Sequence, residues 1–162
     1  MIRRDLALLF AVLTAFLGGG EPAGQAPCSG SFAQFDFWLG NWNVTNQAGT
    51  QTLGQNTVTR IAGDCGIREH WRSGTFTGVS INMYDPVRDE WTQVWMDQSP
   101  LTLHLVGGWN GTAMVLQGPR AGGGFNRITW TPLSDGRVRQ HWEESATGAN
   151  WTTVFDGYYR RT

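Results

Sequence analysis

Two acidic side chains occupy positions where a carboxyl group could act as a general acid or base. Glu69 lies between Ile67 and Trp71 in a segment of alternating polar and apolar character, and Asp97 ends a similar segment that contains Trp95. A carboxyl group shielded from water by apolar neighbours has a raised pKa, which suits it to proton transfer near neutral pH. Glu69 and Asp97 are therefore the candidate catalytic residues.

A structural interpretation of Glu69 stands beside the catalytic one. An inward-facing arginine, such as Arg60 or Arg127, would form a buried ion pair with its carboxylate. The spacing of these residues does not decide between the two interpretations, and both stay open at this point.

The common catalytic and cofactor signatures are missing from the chain. It has no nucleophile elbow, no zinc-protease motif, and no glycine-rich loop followed by a helical pattern. The three histidines His70, His104 and His141 fall in separate segments without metal-ligand spacing. We therefore expect neither a metal nor a cofactor.

A second set of residues would share the inner face of several strands. Side chains alternate between the two faces of a strand, and in these segments a tryptophan marks the apolar face. The residues expected to line a cavity are Glu69, Trp71, Gln93, Trp95, Gln140 and Trp142. A few polar groups among indoles are typical of a small-molecule pocket. The alternative is a barrel filled by its own side chains, since the chain contains nine tryptophans.

The elements that must position these residues are short strands. Turn pairs such as Asn110-Gly111 and Asp135-Gly136, which accept positive φ, separate segments rich in Val, Ile, Thr and Trp. The predicted strands are 41–46, 53–62, 66–73, 76–85, 90–98, 101–109, 112–119, 124–133, 137–145 and 150–161. Tight turns make neighbouring strands antiparallel, and closure removes exposed edges. The predicted fold is all-β, an antiparallel up-and-down barrel of about ten strands, with a sandwich as the alternative.

An aromatic cluster precedes the first strand. Its members are Phe32, Phe35, Phe37, Trp38 and Leu39. A short turn of helix would place these side chains over one mouth of the barrel as a plug.

The opening of the first strand carries a resemblance to a known superfamily. Gly40-x-Trp42, with Arg160 or Arg161 in the last strand, resembles the lipocalin arrangement, in which the tryptophan closes the barrel floor and a late arginine stacks on it. The resemblance assigns structural roles to Gly40, Trp42 and, as the preferred arginine, Arg160.

A longer pattern resembles a bacterial family of exported, lipocalin-like proteins of unknown function. It comprises residues 35–44, Cys65 followed by Glu69 and Trp71, and residues 84–85, 91–97, 138–140, 142–145 and 155–160. The resemblance implies a fold and a compartment but brings no ligand, reaction or catalytic residue. Asn41 and Asn43 depart from the family, where acidic residues are common at these positions.

Residues 1–27 are predicted to be a signal peptide. Arg3 and Arg4 precede an apolar run over 6–17, which is shorter than the roughly 20 residues of a membrane-spanning helix. The remaining residues 28–162 suffice for a single lipocalin-like β-barrel domain. Cys28 and Cys65 both lie in this part, so in an oxidising compartment we expect them to form a disulfide. The expected location is periplasmic or secreted.

The charge of the chain argues against a nucleic-acid partner. The formal net charge is −1, and no basic run is present.

Three hypotheses for the function follow from these observations. The first hypothesis is a binding module for a small hydrophobic or aromatic molecule. The second is a cofactor-free enzyme of the isomerase, cyclase or hydrolase type that uses Glu69 or Asp97, and the third is a structural envelope protein with a filled barrel. The sequence does not indicate an oligomeric state.

Overall fold

The computed structural model describes residues 28–99 and 101–162, so the signal peptide predicted for 1–27 lies outside the described residues. Two short 3₁₀ turns, Gly30–Ala33 and Asp36–Trp38, precede the strands. The strands are β1 Gly40–Thr45, β2 Thr52–Ile61, β3 Gly66–Ser73, β4 Phe76–Asp85, β5 Glu90–Asp97, β6 Thr102–Trp109, β7 Met114–Pro119, β8 Phe125–Pro132, β9 Val138–Ser145 and β10 Thr152–Arg161.

The strands form one closed antiparallel barrel. Each strand pairs with its neighbours in sequence, and β1 pairs with β10 to complete the cylinder. This confirms the predicted all-β up-and-down barrel rather than the sandwich. The predicted helical plug is present as the two 3₁₀ turns. No helix in the described ranges is long and apolar enough to cross a membrane.

The two ends of the barrel differ in what covers them. The closed end carries the β2–β3, β4–β5, β6–β7 and β8–β9 turns together with the 3₁₀ turns, and the open end carries the other five strand connections. A disulfide joins Cys28 to Cys65 in the β2–β3 turn, with Cα atoms 5.1 Å apart, as the sequence predicted. Arg60 of β2 also forms an ion pair with Asp36 in the second 3₁₀ turn. These two links attach the plug to the barrel.

Aromatic side chains fill the closed end. Phe35 and Trp38 from the plug are 0% exposed and stack with ring centroids 4.9 Å apart. Phe35 also meets Trp130 of β8 edge-on at 5.1 Å and Trp91 of β5 at 5.6 Å. Such edge-to-face and offset contacts add to the free energy gained by burying the rings. The closed half of the barrel is therefore a packed hydrophobic core.

Trp42 of β1 lies at the base of this core, and its indole N–H donates to the backbone carbonyl of Trp38 at 2.9 Å. The guanidinium over its ring belongs to Arg161, 4.4 Å from the ring centroid. The choice of Arg160 for this role is wrong: Trp42 is paired directly with Arg161, so their side chains lie on the same face, and Arg160 is exposed on the other. Gly40 leaves room for the guanidinium of Arg161, with which a Cβ at that position would collide.

Candidate ligand-binding site

A cavity of about 380 Å³ lies inside the open half of the barrel. Its lining comes mainly from inward-facing positions of β2 to β6 and β8 to β10 and is mostly apolar. All six residues predicted from alternation line it, together with Asp97: Glu69, Trp71, Gln93, Trp95, Gln140 and Trp142. The sequence did not single out the other lining residues, which are Leu53, Ser73, Phe76, Leu103, Ile128, Phe155 and Tyr159.

Three aromatic rings in this half lie along the wall instead of across the lumen. Each occupies the space above a glycine, where a side chain would otherwise project inward. The pairs are Trp71 with Gly54, Trp95 with Gly78, and Phe155 with Gly157. A glycine in a strand often marks such a close approach, and an aromatic ring commonly covers it. The rings therefore form the walls of the cavity and leave its centre open.

Glu69 lies at the floor of the cavity and is 3% exposed. Its two carboxylate oxygens accept hydrogen bonds from Asn56 Nδ2 and Ser80 Oγ, each at 2.7 Å. The ion pairs considered for it do not form, because Arg60 and Arg127 pair with other carboxylates. Glu69 is thus a buried acid held by neutral donors.

Burial raises the pKa of Glu69 from 4.5 to about 7, and the hydrogen bonds from Ser80 and Asn56 oppose part of this rise. The carboxyl group is therefore close to half protonated at neutral pH. Tyr159 is also buried, and its pKa is raised well above 10 by burial and by the nearby Glu69. Its hydroxyl stays protonated and donates to Gln140 Oε1.

A polar network connects the floor residues. Gln93 Nε2 donates to Asn82 Oδ1 at 2.9 Å, and Asn82 Nδ2 donates to Ser80 Oγ at 3.0 Å. Asn56 Nδ2 also reaches the Tyr159 hydroxyl at 3.3 Å. One acceptor of the network, Asn56 Oδ1, is buried without a hydrogen-bond donor among the described residues.

Sequence reasoning missed three members of this network, Asn56, Ser80 and Asn82. The signal was available, because the alternation applied to β3 and β5 also places these side chains inward in β2 and β4. Neither strand carries an inward tryptophan, so no apolar marker in the sequence identifies its inner face.

Asp97 has a different role from Glu69. It lies at the rim in the last position of β5, where it accepts hydrogen bonds from Trp95 Nε1 at 2.9 Å and from the Ser99 backbone N–H at 2.8 Å. Asp97 thus holds the indole of Trp95 in place, while Glu69 lies in the middle of β3. The two candidate acids line one cavity at different depths.

In the part of the chain that the structure describes, no arginine and no histidine lines the cavity. His104 is exposed on the outside of the barrel, and His141 contacts Thr153 at an exposed position. Within residues 28–99 and 101–162, no group of three or more histidine, cysteine or acidic side chains is placed to hold a metal ion. The chemistry available in the cavity is that of carboxyl, amide, hydroxyl and indole groups.

Comparison with known proteins assigns no family. No protein-family model matches the chain, and no curated protein is similar to it at a significant level. The function is therefore inferred from the geometry and chemistry of the cavity.

Proposed function

We propose that the protein is an exported binding protein whose barrel holds a small, mostly apolar molecule. The observation that carries this proposal is the cavity of about 380 Å³ above the packed aromatic core. Small-molecule pockets of proteins fall roughly between 300 and 1,000 Å³ and combine apolar walls with a few convergent polar groups. The walls and floor of this cavity have that composition.

The position of the aromatic rings supports binding over a purely structural role. In a filled barrel, side chains from opposite strands meet in the lumen. In the open half, Trp71 and Trp95 instead lie over Gly54 and Gly78, and the space between the walls is left free. Even a small cavity costs dispersion contacts, so an occupant would restore the contacts that the rings do not make with each other.

The pKa of Glu69 favours one second candidate, a cofactor-free enzyme. An acid with a pKa of about 7 has both protonation states available at neutral pH, as general acid and base catalysis requires. Glu69→Gln would abolish turnover in such an enzyme, whereas in a binding protein, which has no turnover to lose, it would change the affinity for the ligand.

The compartment and the family remain parts of the proposal. The Cys28–Cys65 disulfide supports a periplasmic or secreted location, because structural disulfides persist in oxidising compartments. The barrel and its plug agree with the fold that the resemblance to the exported, lipocalin-like family implies.

Binding can be tested with a variant that fills the cavity and a matched control. Leu103 lines the cavity, and Val106 lies on the outer face of the same strand at 39% exposure. Each would be replaced by tryptophan, and hydrophobic and aromatic probes would be titrated against intrinsic fluorescence. We expect saturable binding to the wild type, at least about tenfold weaker binding to Leu103→Trp, and unchanged binding to Val106→Trp.

Native mass spectrometry of the protein from its producing cells gives a second readout. We expect a co-purifying small molecule in the wild type that Leu103→Trp lacks. A folded wild type that binds no probe and carries no molecule would contradict the proposed function and favour a structural role.

A further inference from the structure

The charges that line the cavity have one sign. Among the described residues that line it, Glu69 at the floor and Asp97 at the rim carry carboxyl groups, and none is an arginine or a histidine. Arg60 of β2 and Arg161 of β10 are engaged with Asp36 and the ring of Trp42. Arg127 alternates with the buried Asn126 and Ile128, so it lies on the outer face of β8, where it pairs with Glu143. A ligand carrying a negative charge would thus meet no counter-charge inside the barrel.

The floor also has an excess of hydrogen-bond acceptors. An ionised carboxylate has about four lone-pair sites. Two protein donors reach Glu69, one on each oxygen. Beside it, Asn56 Oδ1 is buried and receives no donor from the described residues. The nearby Tyr159 hydroxyl gives its proton to Gln140. A ligand group that donates several hydrogen bonds would satisfy this floor.

The walls suit a positive charge as well as an apolar body. Indole and phenyl rings attract cations through their faces, and Trp71, Trp95, Trp142 and Phe155 all line the cavity. An ammonium group beside Glu69 would convert an unpaired buried acid into an ion pair. A carboxylate at the same place would bring together two like charges with little water between them, which is strongly unfavourable.

We propose that the cavity selects apolar organic amines, with the ammonium group against the Glu69 carboxylate and the apolar body between the tryptophan walls. This inference rests on the proposed binding function and specifies its ligand class. The same arrangement disfavours acidic apolar molecules such as fatty acids. Their carboxylate would meet a like charge in the ionised form of Glu69 and no cation among the described lining residues in the protonated form, although their apolar chains would fit the walls.

Three probes of nearly equal shape test the preference in the wild-type, disulfide-bonded protein. These are 2-(aminomethyl)naphthalene, 2-(hydroxymethyl)naphthalene and 2-naphthoic acid. We expect the amine to bind at least about tenfold more tightly than the alcohol, as a charge-assisted hydrogen bond provides, and the acid to bind most weakly. Glu69→Gln removes the preference for the amine, and Glu90→Gln, which removes the same charge at the start of β5 outside the cavity lining, retains it.

The pH dependence gives a readout that a structural role would not move. Among the described residues, Tyr159 is the titratable neighbour that faces Glu69 from the strands around it, and the other groups are the neutral Asn56, Ser80 and Gln93. The amine probe stays protonated between pH 5.5 and 8.5, and it binds the ionised form of Glu69. Its affinity should rise by up to about tenfold per pH unit below pH 7 and level off above it. The alcohol should show no such rise.

The outcomes separate this inference from the proposed function. If the alcohol binds as tightly as the amine, or the acid binds best, the preference for amines is wrong and the binding function stands. If none of the three probes binds to the folded wild type, the preference for apolar amines is contradicted. The binding function is contradicted as well only if the wild type also carries no co-purifying small molecule. These comparisons need only the wild-type protein, so an unstable Glu69→Gln variant does not prevent them.

Discussion

The two halves of the barrel use the same types of aromatic residue in opposite ways. In the closed half, Phe35, Trp38 and Trp130 interlock and are 0% exposed. In the open half, Trp95 and Trp142 are only partly buried and line an open space. The segment with the two 3₁₀ turns, which precedes the first strand, adds aromatic rings to the closed half and no rings to the open half. Stability should therefore be concentrated in the closed half and binding capacity in the open half.

The sharpest test of this contrast compares one tryptophan from each half. Trp130→Ala should lower the free energy of unfolding by about 3 to 5 kcal/mol, because it leaves a cavity among rings that cannot collapse. Trp142→Ala should cost less than half as much, since its ring borders space that is already open. Urea denaturation measures both. Equal losses of unfolding free energy would mean that the open half is packed as tightly as the closed one. The milder variants Trp130→Phe and Trp142→Phe can repeat the comparison.

The disulfide should contribute only to the closed half. Cys28 and Cys65 are 37 residues apart, so replacing both by serine should cost about 3 to 4 kcal/mol in the chain-entropy account. The folded fraction of the double variant should still bind probes in the open half with unchanged affinity. A loss of affinity in fully folded protein would show that the plug also shapes the cavity.

Glu69 should make the barrel less stable as the pH rises. Its folded-state pKa of about 7 lies above the ordinary 4.5, so stability is full below pH 4.5, falls between pH 4.5 and 7, and stays low above pH 7. The total loss is about 3 kcal/mol. Glu69→Gln should lack this dependence, whatever constant offset its amide introduces. Melting curves from pH 4 to 8 measure the slope, and parallel slopes in the two proteins would show that Glu69 does not titrate as described.

The smallest effect concerns the two final arginines. Arg161→Ala should cost about 0.5 to 1 kcal/mol because it removes the cation above the Trp42 ring. Arg160→Ala, on the exposed face, should stay within about 0.5 kcal/mol of the wild type. Matched thermal melts distinguish them, and a larger loss for Arg160→Ala would contradict the assignment of Arg161 to the base of the core.

Most of the fold could be predicted because its signals are local. Hairpin turns such as Asn110-Gly111 mark the strand ends, and the predicted strand limits differ from the observed ones by no more than two residues. Alternation within a strand likewise placed Glu69, Gln93 and Gln140 on the inner face, where all three line the cavity. The disulfide followed from two cysteines in a single expected domain.

The contacts between strands were decided by the tertiary structure alone. Which residues of two strands meet depends on their register, and a shift of one residue exchanges the faces. Register therefore selected Arg161 over Arg160 at Trp42, and it placed Asn56 and Ser80, not an arginine, against Glu69. The open cavity has the same origin. The register pairs Trp71 with Asn56 and Trp95 with Ser80, which puts Gly54 and Gly78 diagonally across from the two rings and lets the rings lie along the wall. The spacing of residues within one strand does not predict this arrangement.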